Sequence, residues 1–301
     1  MNKVKKVLMT MFGLLMFPLL FACSNNQSQG VEAIKAKGKL VVALNPEFAP
    51  FEYQKLVDGK NQIVGSDVEL AKAIAKELGV EVEFSPMSFD NVLASLDSGK
   101  ADLAISGVSK TEERSQVYDF SIPYYTSKNK VIVRKSELTN YQSVKDLAQK
   151  KVGAQKGSIQ ETLAKETLQN SSLVSLPKNG NLITDLKSGQ LDAVIFEEPV
   201  AKGFVENNPD LAIAEFDFDN DKEDSYAVAM KKDSKELKEA VDKTIQKLKD
   251  SGELDKLIDD AFKASMRVST CSPSRGAKSS PLAARRNMAQ RSCPVSSFSE
   301  K

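Results

Sequence analysis

The chain is predicted to fold as an α/β protein of two similar lobes with a ligand cleft between them. Two observations carry this. From Lys39 onward, short β-branched runs alternate with helical patterns, as strands interleaved with helices do. One such unit also recurs: residues 91–105, NVLASLDSGKADLAI, match residues 181–195, NLITDLKSGQLDAVI, at a constant offset of 90. Asn, Leu, Ser, Gly, Asp and Ile coincide, and each copy reads as a helix, a glycine-ended cap and a buried strand. The separation is too large for a solenoid and suggests paired lobes. The same helix-to-strand pattern is also an ordinary α/β turn.

Taken in order, the N-terminus reads as a leader. Lys3, Lys5 and Lys6 precede an apolar run of 16 residues, Val7 to Ala22. A membrane-spanning helix needs roughly 20 apolar residues, so the run suits a secretory signal over 1–22. Leu20-Phe21-Ala22-Cys23 resembles a bacterial lipobox, which implies lipidation at Cys23; the plainer alternative is a leader with an incidental cysteine. Residues 23–30 are polar and read as a flexible tether. The expected location is the extracellular face of the cell membrane, reached through a lipid anchor.

The body opens with a buried strand, Leu40 to Leu44. A helix follows, started by a capping box at Ser66-x-x-Glu69, with Val68, Ala71, Ile74, Ala75 and Leu78 on one face and Gly79 ending it. Strands are then expected at 80–84, 131–133, 151–154, 173–176, 191–195 and 211–215. Helices are expected at 158–168, 234–249 and 254–262.

Composition excludes several functions. The net charge of +1 is uneven: residues 267–301 carry +6 and the leader +3, leaving −8 on residues 23–266. A body so acidic suits no nucleic-acid partner. The tail 267–301 holds five of the seven arginines and no periodic pattern, and reads as a disordered or aberrant basic extension. Cys271 and Cys293 lie within it, so the body has no internal disulfide. The chain has no histidine, which removes Ser-His and Cys-His nucleophiles and the commonest zinc ligand. No catalytic residue, metal site or cofactor is expected. Asp217 to Asp221 begins like a calcium loop, but Lys222 and Val228 stand where glycine and glutamate are required.

Open α/β sheets bind ligands beyond the carboxyl ends of their strands. Those ends are Ile105 and Ile195, followed by Ser106-Gly107-Val108-Ser109-Lys110-Thr111-Glu112-Glu113-Arg114 and by Phe196-Glu197-Glu198-Pro199. One segment offers a cation and the other anions, which suits a zwitterion. Arg114 has a planar fork able to grip a carboxylate, and the helix opening at Ser158-Ile159 points N–H groups the same way. Read singly, Arg114 is equally a surface ion pair and Gly157 a turn glycine. Phe48 and Phe89, each in a loop near a strand end, suit the walls of an apolar pocket; core packing is the alternative for both.

These stretches resemble a known family, the polar amino-acid branch of the substrate-binding proteins that serve ABC importers. The carrying residues are Glu47-Phe48-Ala49-Pro50-Phe51, Gly65-Ser66-Asp67-Val68-Glu69-Leu70-Ala71, Ala101 to Gly107, Thr111 to Arg114, Val117 to Tyr125, Val152 to Ser158 and Leu191 to Val194. The resemblance spans about 31–265 and implies a periplasmic-binding-protein-like fold, joined by two hinge strands near 128–133 and 225–230. It implies lobe 1 over 31–126 and 224–266, and lobe 2 over 127–223.

The resemblance also implies roles. Arg114 would hold the α-carboxylate with the N–H groups of Ser109 and Ile159, and Glu197 would hold the α-ammonium. Ser106, Gly107 and Ser109 would lie along the ligand, with Phe48 and Phe89 on either side. Asn45 stands where relatives that bind basic side chains carry an aspartate; Glu47 and Glu52 are further candidates for side-chain charge. The implied ligand is a polar amino acid, arginine, glutamine or similar, passed to an ABC permease by a monomeric binder. Competing readings are a surface sensor or adhesin, and a dehydratase-like enzyme with Glu197 as its acid.

Overall fold

A computed structural model describes residues 30–218 and 224–266. The leader 1–22, Cys23, all of the tether except Gly30, Asp219 to Asp221 of the acidic loop and the tail 267–301 lie outside the described residues.

In chain order the elements are α1 (Val31–Lys37), β1 (Lys39–Leu44), β2 (Glu47–Phe48), β3 (Glu52–Val57), β4 (Lys60–Val64), α2 (Ser66–Leu78) and β5 (Glu81–Pro86). Two short helical turns follow, α3 (Phe89–Val92) and α4 (Ala94–Asp97), then β6 (Leu103–Ala104), α5 (Glu112–Val117), β7 (Tyr118–Phe120), β8 (Tyr125–Ser127) and β9 (Asn129–Arg134). After two 3₁₀ turns come β10 (Lys151–Gln155), α6 (Ile159–Thr167), β11 (Ser172–Leu176), α7 (Asn179–Ser188), β12 (Ala193–Glu197) and α8 (Glu198–Asn207). Last are β13 (Leu211–Ile213), β14 (Asp224–Tyr226), β15 (Ala229–Lys231), α9 (Lys235–Asp250) and α10 (Glu253–Met266).

Two five-stranded sheets organise the chain, ordered β5-β1-β6-β15-β7 and β11-β10-β12-β9-β13. In each, four strands run in one direction and one runs against them, β15 in the first sheet and β9 in the second. Both sheets are covered on two faces, so their strands read as continuous apolar runs. In β1, Leu40 and Val42 point to one core with Leu70, Ile74 and Ile245, while Val41 and Ala43 point to another with Val92, Leu96 and Phe120. In β9, Ile132 faces Leu182 and Leu186, while Val131 and Val133 face Tyr141, Leu147 and Ala164. Each such side chain, fully buried, contributes about 1.5–3 kcal/mol.

The chain passes between the sheets twice, and the passages are zipped together where β8 and β14 pair antiparallel, Tyr125 opposite Tyr226. The first passage falls a few residues ahead of the expected hinge, because Asn129 onward already belongs to the second sheet.

The duplicated segment folds the same way in both places. Asp102 Oδ2 accepts from the Val41 N–H at 2.8 Å and Asp192 Oδ2 from the Lys151 N–H at 2.8 Å. Each aspartate ties its own strand to the start of the neighbouring parallel strand. The first copy is less regular than expected, with its helix split into α3 and α4 and its strand shortened to Leu103–Ala104.

The predicted capping box on α2 does not form. Gly65 is the N-cap: its carbonyl accepts from the Glu69 N–H at 3.2 Å, and Ser66 becomes the first helical residue. Gly65 is required there, because at φ 133° a Cβ would sit 2.0 Å from the Phe51 carbonyl oxygen. Ser66 instead points its hydroxyl into the protein, and Asp67 comes to rest beneath the first sheet's loops.

Candidate functional site

The carboxyl ends of β1, β6, β10 and β12 converge on one small, nearly filled chamber between the two sheets. From the first sheet it is lined by Phe48, Phe89, Gly107, Ser109 and Arg114. From the second it is lined by Gln155, Ser158, Ile159, Gln160 and Glu197. Eight of the ten residues singled out in the sequence therefore meet at one place, with Gln155 and Gln160 in addition.

Arg114 is placed by its own helix. Thr111 is the N-cap of α5 and its Oγ1 accepts from the Arg114 N–H at 3.1 Å. The guanidinium then reaches both halves of the chamber: Nη1 donates to the Ser109 carbonyl at 2.8 Å and Nη2 to the Gly157 carbonyl at 3.1 Å. A lysine has one nitrogen and cannot span two acceptors in this planar way.

The loop from Ser106 to Lys110 is pinned to the returning crossing strand. Lys110 N–H donates to the Ser225 carbonyl and Ala227 N–H to the Val108 carbonyl, each at 3.0 Å. Gly107 is the point of closest approach. It has φ 52°, and a Cβ there would lie 2.4 Å from Phe48 Cε1. Phe48 is thus both wall and core, packed at 5.6 Å from Phe51 and 6.2 Å from Tyr226 between ring centroids. Phe89 opens α3 and is only half-buried.

On the opposite side, Ser158 caps α6. Its Oγ accepts from the Glu161 N–H at 3.2 Å and donates to the Gln155 carbonyl at 2.7 Å. The first N–H groups of a helix have no intrahelical partner, and Ile159 stands at that position on the chamber wall. Glu197 ends β12 directly opposite Asn129 and is buried. Gln160 Nε2 donates to Asn129 Oδ1 at 2.7 Å, also in the interior.

Asn45 and Ser106 stand just behind the lining. Asn45 Oδ1 accepts from Gln155 Nε2 at 3.1 Å, an amide contact from one half to the other, and Asn45 Nδ2 donates to the Met87 carbonyl at 2.9 Å. The Ser106 hydroxyl is turned away from the chamber: it donates to Glu52 Oε1 at 2.6 Å and accepts from the Asn45 N–H at 2.9 Å. Glu52, considered for side-chain charge, is sealed behind the loop and offers none to the chamber. Glu47 lines a different, larger groove on the solvent side, with Tyr53, Lys178 and Phe204. That groove is wide and open, whereas the smaller chamber brings opposite charges and aromatic walls together, so the chamber is the better-formed site.

Gln155 and Gln160 were not singled out in the sequence. Their signal was position: the last residue of a parallel strand, and the first turn of the helix that follows it.

Residues 40–264 match the family of bacterial extracellular solute-binding proteins, family 3. The arginine-binding extracellular protein ArtP of Bacillus subtilis is 39% identical over 240 residues, covering 79% of this chain and 90% of that protein. Among solved structures, the amino acid ABC transporter substrate-binding protein AbpA of Streptococcus pneumoniae bound to L-arginine is 85% identical with a TM-score of 0.77, covering 78% of this chain and 99% of that one. A second amino acid ABC transporter substrate-binding protein of Streptococcus pneumoniae, also bound to L-arginine, is 49% identical with a TM-score of 0.75, over 77% of this chain and 97% of that one.

Proposed function

The chain belongs to the bacterial extracellular solute-binding proteins, family 3, and we propose that it captures L-arginine in the chamber between its sheets and delivers it to a membrane ABC permease. One observation carries this reading: the two halves bring Arg114 and Glu197, opposite charges, to one small chamber walled by Phe48 and Phe89. The relatives that bind L-arginine supply the choice among polar amino acids.

Arg114 grips the α-carboxylate, with the Ser109 and Ile159 N–H groups completing its hydrogen bonds. Glu197 receives the α-ammonium, together with carbonyl oxygens of the Ser106–Ser109 loop. The rings of Phe48 and Phe89 enclose the aliphatic stem. Gln155, held from behind by Asn45, and Gln160 present neutral amides to the far end of the side chain. Both charged ends lose water in a closed chamber, so each needs a partner and hydrogen bonds. The ligand leaves unchanged, so the protein is a binder and no enzyme. It works from the outer face of the membrane, tethered through a lipid on Cys23, as a monomer with lobe 1 over 31–126 and 224–266 and lobe 2 over 127–223.

Isothermal titration with L-arginine, L-glutamine, L-histidine and L-glutamate tests the reading. Arginine is expected to bind at micromolar or lower concentration, which corresponds to at least about 8 kcal/mol. An absence of heat with all four amino acids sinks it. Cys23→Ser is expected to shift the protein from the detergent phase to the aqueous phase.

A further inference from the structure

Directly beneath the ligand loop lies an acid pair that the contacts above do not use. Glu52 opens β3 and Asp67 is the second residue of α2; they are 0% and 1% exposed. Glu52 Oε1 accepts from Ser106 Oγ at 2.6 Å. Asp67 Oδ2 accepts from the Gly107 N–H at 3.0 Å and from the Tyr124 hydroxyl at 2.7 Å. One oxygen remains on each group, Glu52 Oε2 and Asp67 Oδ1. Both are sealed from solvent and have no donor among the described residues. Their other oxygens hold consecutive residues of one loop, Ser106 and Gly107, which brings the two carboxyl groups close enough for each to shift the other's proton affinity.

Two acceptor oxygens buried without donors, on carboxyl groups that hold adjacent residues of one loop, call for a hydrogen. Two ionised carboxylates sharing a dry site repel, and burial penalises each charge further. A single proton relieves both problems, because one group becomes the donor that the other lacks. We propose that Glu52 and Asp67 hold one proton between Oε2 and Oδ1, and that the pair positions the ligand-binding loop, fixing Ser106 by its hydroxyl and Gly107 by its N–H. The role assigned to the pair rests on the reading of that loop as the segment lying along the ligand.

The surroundings favour Glu52 as the carrier. Burial and the neighbouring Asp67 charge hold its carboxyl well above the ordinary range, and Glu197 adds to this from the chamber side. Burial raises Asp67 less, to about 6, because Gly107 N–H and Tyr124 stabilise its ionised form. The titratable groups facing the pair are therefore Glu197 on β12 and Tyr124 ahead of β8, with Tyr226 on β14 beside Tyr124. The folded protein keeps a proton that the unfolded chain releases above the ordinary glutamate range.

Thermal unfolding of the ligand-free protein, wild type against Glu52→Gln, tests the shared proton. A glutamine accepts from Ser106 and donates to Asp67, as protonated Glu52 does, but never titrates. Its melting temperature relative to wild type is expected to rise by about 5 °C or more between pH 5 and pH 8, since only wild type must retain a proton. L-Arginine titration at pH 7 then tests positioning. Glu52→Gln is expected to bind within about threefold of wild type, and Glu52→Ala at least tenfold more weakly. A melting difference that stays flat with pH overturns the shared proton. A folded Glu52→Gln that loses arginine binding, or a Glu52→Ala that keeps it, overturns the positioning role. If wild type binds no arginine, the proposed function falls, while the ligand-free melts still decide the proton.

Discussion

Lys156 Nζ lies 3.0 Å from Asp90 Oδ2, a salt bridge that joins the second sheet's β10 loop to α3 across the rim of the chamber. Three further contacts cross beside it: Arg114 to Gly157, Gln155 to Asn45 and Asn179 Nδ2 to the Glu47 carbonyl. Such bonds exist only while the halves are together, so they favour the closed arrangement. The ion pair is solvent-exposed on its lysine side, and exposed pairs are weak and salt-screened. Lys156→Ala is therefore expected to raise the dissociation rate for arginine no more than about threefold, and the difference should vanish in high salt. Stopped-flow displacement at two ionic strengths checks both parts.

Gly157 sets how closely the halves approach. Its φ is 81°, and a Cβ on it would lie 3.1 Å from both Cα and Cβ of Asp90. Neither contact is with the tip of a flexible side chain, so a methyl group must either strain the turn or hold the rim open. Gly157→Ala is expected to weaken arginine binding at least tenfold while lowering the melting temperature by only a few degrees. Small-angle scattering with saturating arginine would show a larger radius of gyration than wild type.

Replacing Arg114 tests geometry apart from charge. Lysine keeps the cation but loses the fork that reaches Ser109 and Gly157 together. Removing one partner of a buried, hydrogen-bonded charge pair costs about 2–5 kcal/mol. Arg114→Lys is accordingly expected to cost a hundredfold or more in affinity by calorimetry, and Arg114→Ala to abolish measurable binding. Near-wild-type affinity in the lysine variant would show that charge alone suffices.

The duplicated aspartates are expected to be worth a similar amount of stability in each half. Asp102 and Asp192 each satisfy one strand-edge N–H and each also meets a cation, Asp102 pairing with Lys37 at 2.6 Å and Asp192 with Arg134 at the longer 3.5 Å. Loss of a charged partner from such a group costs roughly 1–3 kcal/mol. Asp192→Ala should lower the denaturant midpoint accordingly, and Asp102→Ala should lower it somewhat more. Equal melting of both variants with wild type would make the repeat a coincidence of turn sequence.

These aspartates also explain what could be read in advance. Strand and helix order, the two lobes and most chamber residues follow from local patterns: apolar period, glycine stops and the rule that ligands sit past parallel strand ends. Three features escaped. The hairpin of β3 and β4 was announced by Asp58-Gly59, whose φ values of 49° and 75° suit a tight turn, but its exposed alternation carries little apolar signal. Ser66 looked like a cap until Gly65, pressed on the Phe51 carbonyl, took that place. Glu52 looked available because a carboxylate, even between Phe51 and Tyr53, is ordinarily left in water. Its partners, Asp67, Ser106 and Tyr124, come from distant parts of the chain.

Asp67 makes the last prediction a matter of sign. Its folded value of about 6 stands above the ordinary 3.8, with burial as the cause. The folded state thus binds a proton more readily than the unfolded chain between those values. By linkage, the stability associated with this group is greatest below about pH 4, declines as pH rises toward 6, and is level above that. Asp67→Asn cannot titrate, so the unfolding free energy of wild type minus that of the variant should fall with rising pH by on the order of 2–3 kcal/mol between pH 4 and pH 7. Urea unfolding across that interval measures it. A difference that grows with pH would mean that the bonds from Gly107 and Tyr124 outweigh burial and hold Asp67 below its ordinary value.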